Sequence, residues 1–95
     1  MAKHVSFVVL NWQQPQLTIN CLNSLLAQKT KNIRLSIVLV DNGSADNSLS
    51  LFKKHFSSNK SVTLVSNDKN LGYVQGNNIG LKTALLGRPD YVVIL

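Results

Sequence analysis

Three polar stretches of this chain carry residue types that bind ligands. The first, Asn11-Trp12-Gln13-Gln14, follows an apolar run without the glycine that a phosphate-wrapping turn needs. Asn11 and Trp12 bring together a hydrogen-bonding group and a flat apolar face, the two properties that hold a nucleobase. The competing reading makes Trp12 a rim residue packed on the first helix. The second stretch, Asp41-Asn42-Gly43-Ser44-Ala45-Asp46, reads as a turn and a helix start, with Ser44 or Asp46 as the stabilising cap. That reading accounts for Gly43, Ser44 and Asp46 and leaves Asp41 over. Its carboxylate can accept the ring N–H of a uracil or thymine, or a ribose hydroxyl. The third stretch threads Asn67, Asp68, Asn70, Asn77 and Asn78 between Gly72, Gly76 and Gly80. It reads as a long, functional loop in which Gly72 and Gly76 let backbone approach a ligand, ahead of a helix whose free N–H groups suit a polar or anionic group. The alternative is a mobile surface loop whose glycines and asparagines only make turns.

Several chemistries are excluded by spacing. Neither G-x-G-x-x-G nor G-x-x-x-x-G-K-[ST] occurs after the first apolar run, and the four-residue spacing of Gly72, Gly76 and Gly80 matches neither. A calcium loop at residues 41 to 47 fails because its glycine stands third and the chain has no glutamate for the closing ligand.

These stretches need elements to hold them. Residues 5–10, 35–40, 62–66 and 91–95 are nearly continuous apolar runs, as strands covered on both faces are. Leu17, Cys21, Leu25 and Gln28 recur at helical spacing after Pro15; Leu49, Phe52 and Phe56 form a second stripe. Ile79, Leu81, Leu85 and Leu86 form a third, stopped by Gly87, Arg88 and Pro89. The order β-α-β-α-β-α-β predicts a doubly wound α/β sheet of parallel strands with right-handed crossovers. Ligands of such sheets bind at the carboxyl ends of the strands, where all three polar stretches fall.

Ninety-five residues, 44% of them hydrophobic, make one small domain. Ten Lys and Arg against four Asp leave a net charge of +6, which points to an anionic partner such as a phosphate-bearing small molecule, nucleic acid or an acidic membrane. The cations are scattered, with Lys29, Lys31 and Arg34 around one loop, and most suit solvated faces. Cys21 is the single cysteine, so a reducing, cytoplasmic setting is expected. The opening apolar run is too short for a secretory or membrane-spanning segment.

Taken in order, VVLNW, LTINCLNSLLAQ, VLVDNGSADNS and NLGYVQGNNIGL resemble the start of a family 2 glycosyltransferase of the GT-A fold, rhamnosyltransferase-like branch, over essentially the whole chain. The resemblance implies a Rossmann-like GT-A half: a mainly parallel sheet of order 3-2-1-4 with helices on both faces. It implies a UDP- or dTDP-linked sugar donor and a polysaccharide or glycolipid acceptor. Leu10 and Trp12 would flank the base, Asp41 or Asn42 would pair with its edge, and the segment Gly72 to Asn78 would close over the nucleoside. The implied nucleotide-binding set is Leu10, Asn11, Trp12, Asp41, Asn42, Gly72, Tyr73, Gly76, Asn77 and Asn78. In the family, an acidic D-x-D-type motif holding Mg²⁺ or Mn²⁺ follows the strand matching YVVIL, and a later carboxylate is the general base. Both lie beyond Leu95, so no catalytic residue or metal ligand is assigned, and residues 1–95 are expected to be the nucleotide-recognition portion, inactive alone. Residues 91–95 would be an exposed apolar edge through which two chains pair. Membrane association is expected only of a longer protein. The alternative function is a non-catalytic nucleotide- or nucleic-acid-binding module, followed by a scaffold domain that has lost its ligand.

Overall fold

A computed structural model describes residues 2–28 and 31–95; Lys29, read above as a loop cation, lies outside them. The chain runs β1 (Lys3–Asn11), α1 (Pro15–Leu26), β2 (Ile33–Asn42), α2 (Ser48–Phe56), β3 (Val62–Asn67), α3 (Gly72–Leu86) and β4 (Tyr91–Ile94). The four strands form one sheet of order β3-β2-β1-β4, with every pairing parallel. Asn11 is in register with Asp41, and Asn42 with Asn67, so the polar ends of three strands lie side by side.

Alternation along the strands sends successive side chains to opposite faces. On one face Val9, Ile37 and Leu39 pack with Ile19 and Leu22 of α1 and Phe52 and Phe56 of α2. On the other, Val8, Val38 and Val40 pack with Ala84 of α3. Each large apolar side chain fully withdrawn from water contributes about 1.5–3 kcal/mol, so most burial stabilisation sits on the first face.

The helices are where expected, but two present different faces from those the spacing predicts. In α1 the buried residues are Thr18, Ile19 and Leu22, while Leu17 is exposed. The face is turned because the buried Thr18 hydroxyl reaches back to the Asn11 side chain, 2.6 Å away. In α3 the buried residues are Gly76, Asn77, Gly80 and Ala84, and Leu85 and Leu86 are exposed. Gly80 is the reason. A Cβ on it would stand 2.4 Å from Val8 Cγ1 and 3.0 Å from Val40 Cγ2, so the small-residue stripe is what lets α3 lie against the sheet.

The long third loop is also shorter than expected. α3 begins at Gly72, so only residues 68–71 connect it to β3, and Gly72, Tyr73, Gly76, Asn77 and Asn78 occupy the first two turns of a helix. Gly72 enters that helix with φ +84°, a conformation open to glycine. At the end of α3 the left-handed residue is Arg88, φ +51°, rather than Gly87. Ser44 is not the cap of α2: the helix starts four residues later, and Asp46 accepts hydrogen bonds from the Ser48 N–H and hydroxyl. Among the described residues no helix is long and apolar enough to cross a membrane.

Candidate nucleotide site

At the carboxyl ends of β1 and β2 the chain builds two polar clusters, one on each face of the sheet. On the α1/α2 side stand Asn11 and Asp41, both fully buried by their own strands. Asn11 donates from Nδ2 to Asp41 Oδ1 at 3.1 Å and to Ser44 Oγ at 3.3 Å, and its Oδ1 accepts from Thr18. Its amide is therefore occupied inside the protein: it ties α1 to β2 and holds Asp41, and is not free to grip a ligand. Ser44 donates to the same Asp41 oxygen at 2.6 Å. Asp41 Oδ1 is thus clamped by two donors, while Oδ2 has no partner among the described residues and lies at the strand end.

Trp12 follows Asn11 immediately and is 50% exposed, whereas Asp41 is 2% exposed. An exposed indole and a fixed, buried carboxylate thus stand at the ends of adjacent strands. Gln13, absent from the expected set, connects the two loops. It adopts φ +55°, its N–H donates to Ser44 Oγ at 2.8 Å, and its Oε1 accepts the Ala45 N–H at 3.3 Å. Ser44, Gln13 and Thr18 are the residues that sequence reasoning missed in this role. A left-handed residue that is not glycine, in a loop lacking glycine, leaves no compositional signal; a serine after Asn-Gly reads from sequence as a helix cap.

On the α3 side stands Asn42. Its Oδ1 accepts from Asn67 Nδ2 at 3.0 Å and from the Leu71 N–H at 3.2 Å; its Nδ2 donates to Asn70 Oδ1 at 3.0 Å and to the Gly72 carbonyl at 3.2 Å. Every hydrogen-bonding capacity of this amide is filled, so Asn42 fastens the β3–α3 connection to the sheet. Gly76 lies against it: a Cβ there would meet Leu10 Cδ1 at 2.8 Å and Asn42 Nδ2 at 3.0 Å. Gly43, φ +73°, faces the Lys69 backbone so closely that a Cβ would stand 2.2 Å from its carbonyl carbon. Only glycine permits that crossing of the second and third loops. Tyr73 and Asn78 are exposed on α3; Asn77 is buried with neither amide atom partnered.

The expected set therefore divides. Asn11 and Asp41 meet at the ends of β1 and β2, with Trp12 exposed next in the chain, while Leu10, Asn42, Gly72 and Gly76 make the α3 wall on the sheet's other face. Among the described residues no three His, Cys, Asp or Glu side chains come together, so these residues do not fit a divalent-cation site, and no step through a metal is derived from them.

The architecture is that of a GT-A glycosyltransferase. It matches the mannosyltransferase PcManGT of Pyrobaculum calidifontis, solved with GDP-Man and Mn²⁺, with a TM-score of 0.76 and 23% identity over 88% of this chain and 25% of that one. The chain belongs to glycosyl transferase family 2, whose model matches residues 6–95. An uncharacterised glycosyltransferase of Haemophilus influenzae is 31% identical over 77 residues, 81% of this chain and 23% of that protein. Glycosyltransferase GlyG of Streptococcus pneumoniae is 27% identical over 95 residues, all of this chain and 30% of that protein. The chain thus spans less than a third of the length of these curated relatives.

Proposed function

We propose that residues 1–95 are the nucleotide-recognising portion of a transferase that moves a sugar from a nucleotide-sugar donor to an acceptor hydroxyl, the acceptor being a polysaccharide or glycolipid. The observation that carries this reading is the half-clamped Asp41 at the end of β2: Oδ1 is fixed by Asn11 and Ser44, and Trp12 is exposed at the end of the neighbouring β1. A carboxylate held this way accepts the ring N–H of uracil or thymine without reorganising, and the indole stacks on the ring. Leu10 and Gly76 supply the apolar wall, and Tyr73, Asn77 and Asn78 line the ligand from α3. The Asn77 amide has hydrogen-bonding capacity to spare; Asn42 and Gly72 shape the wall.

No described residue is given a bond-breaking role, and by themselves these residues bind without transferring. The Mg²⁺ or Mn²⁺ that neutralises a departing diphosphate in such enzymes is assigned to ligands outside this set. The single cysteine supports a reducing, cytoplasmic setting.

Isothermal titration with UDP, dTDP and GDP, with and without Mn²⁺, tests the reading. Saturable binding of UDP or dTDP, lost on Asp41→Ala, is expected. Unchanged affinity in that variant removes the base from Asp41, and salt-steep binding to oligonucleotides without preference for free UDP favours the nucleic-acid-binding module instead, which the net charge of +6 would serve.

Among the described residues β4 pairs with β1 alone. We assign its other edge to the same strand of a second copy. A monomeric mass by light scattering at high protein concentration overturns that assignment.

A further inference from the structure

At the opposite end of the sheet, under the last turns of α3, lies a polar cavity of about 270 Å³. The amino-terminal halves of three strands line it with Ser6, Ser36 and Thr63, and His4 and Arg34 stand at its walls. His4 and Asn11 are seven residues apart on β1, so the cavity is roughly 23 Å from the nucleotide cleft.

The hydrogen bonding of its walls makes it a donor site. His4 Nε2 lies 2.8 Å from Ser36 Oγ, and His4 Nδ1 is buried without a partner. A bare ring nitrogen is tolerated there better than a stranded N–H, so the proton belongs on Nε2 and is donated to Ser36 Oγ. The Ser36 hydroxyl hydrogen is then left for the cavity. Ser6, 1% exposed, lines the same space. Arg34 adds a permanent guanidinium at the exposed start of β2. Among the described residues no carboxylate lines the space, and the Asp90 Oδ2 accepts the His4 backbone N–H at 2.7 Å. The carboxyl end of α3 opposes an anion weakly, but two of its last carbonyls are capped by the Gly87 and Arg88 N–H groups at 3.2 and 3.0 Å, and a full charge on Arg34 outweighs a residual helix dipole.

We propose that this cavity binds a small phosphate-class oxyanion, held by Arg34 and by the hydroxyls of Ser36, Ser6 and Thr63. It is a second anion site, independent of the nucleotide cleft and present whether or not that cleft takes a uridine nucleotide.

The test is amide chemical-shift titration of the ¹⁵N-labelled 95-residue chain with inorganic phosphate and, separately, with glycerol 3-phosphate. Saturable shifts are expected at Ser36, Thr63, Thr83 and Gly87. Arg34→Gln, a change at an exposed position, is expected to weaken binding about tenfold, and Ser36→Ala to weaken it less. Saturation by both probes identifies a free-phosphate site; saturation by the monoester alone identifies an esterified phosphate as the ligand. The proposal is overturned if neither probe saturates, if Arg34→Gln binds as well as the parent chain, or if the shifts gather at Gly72 to Asn78 instead.

Discussion

The two faces of this sheet are built on opposite principles. The α1/α2 face is filled by volume, with Phe52, Phe56, Leu22, Ile37 and Leu39 interlocked and nearly dry. The α3 face is made by removing volume: Gly76 and Gly80 bring helix backbone onto Val8, Leu10, Val40 and Asn42. The contrast teaches that the first face holds the domain together and the second sets the position of a wall. A wall that must stand at a fixed distance from strand ends is better specified by contacts too close for a methyl group than by adaptable side chains.

Breaking the filled face has the largest expected effect. Phe52→Ala should lose about 3–5 kcal/mol by the combined transfer and cavity penalties, read as a drop in the urea midpoint. Gly80→Ala should lose about 1–3 kcal/mol, since its Cβ meets two rigid valines; equal or higher stability would show that α3 can lift off the sheet freely. Trp12→Ala should change the unfolding free energy by no more than about 0.5 kcal/mol while weakening UDP about tenfold or more, separating the ligand mouth from both cores. Leu17→Ser, on the exposed side of α1, should fall within about 0.5 kcal/mol; a core-sized loss would restore the helix face that simple spacing predicts.

The smallest effect concerns pH. The Ser48 hydroxyl, and after it the Ser48 N–H, hold the Asp46 carboxyl below its ordinary value. A carboxyl whose folded pKa lies below its unfolded one contributes stability that is present above about pH 4 and is lost as pH falls through the folded value. Carboxyl ¹³C titration should place Asp46 lower in the parent chain than in Ser48→Ala; coincident curves would remove the hydrogen bonds as the cause.

Much of the fold was legible before any coordinates. Continuous apolar runs marked all four strands, and their alternation with helical patterns required parallel pairing. The helix faces were less legible, because apolar spacing cannot announce that a glycine stripe faces the sheet or that Thr18 is pulled inward by Asn11. In the candidate site, Asp41 is legible as the residue that the turn and cap leave over, whereas Trp12 reads equally as a base-stacking face or as a rim residue on the first helix. Asn11 and Asn42 were visible only as polar, and whether an amide faces a ligand or a neighbouring loop depends on partners 7 to 33 residues away in the chain.

From the order of residues alone came the strands, the sheet class, the carboxyl-end location of the polar loops and the resemblance to family 2. Those follow from local periodicity and from the chirality of crossovers, which every segment carries in itself. Tertiary structure alone decided that Ser44 clamps Asp41 rather than capping α2, that Asn42 is saturated, and that Leu85 and Leu86 of α3 face outward. Each of those outcomes depends on close approach between segments distant in sequence, where a few tenths of an ångström determine which hydrogen bond or methyl group fits.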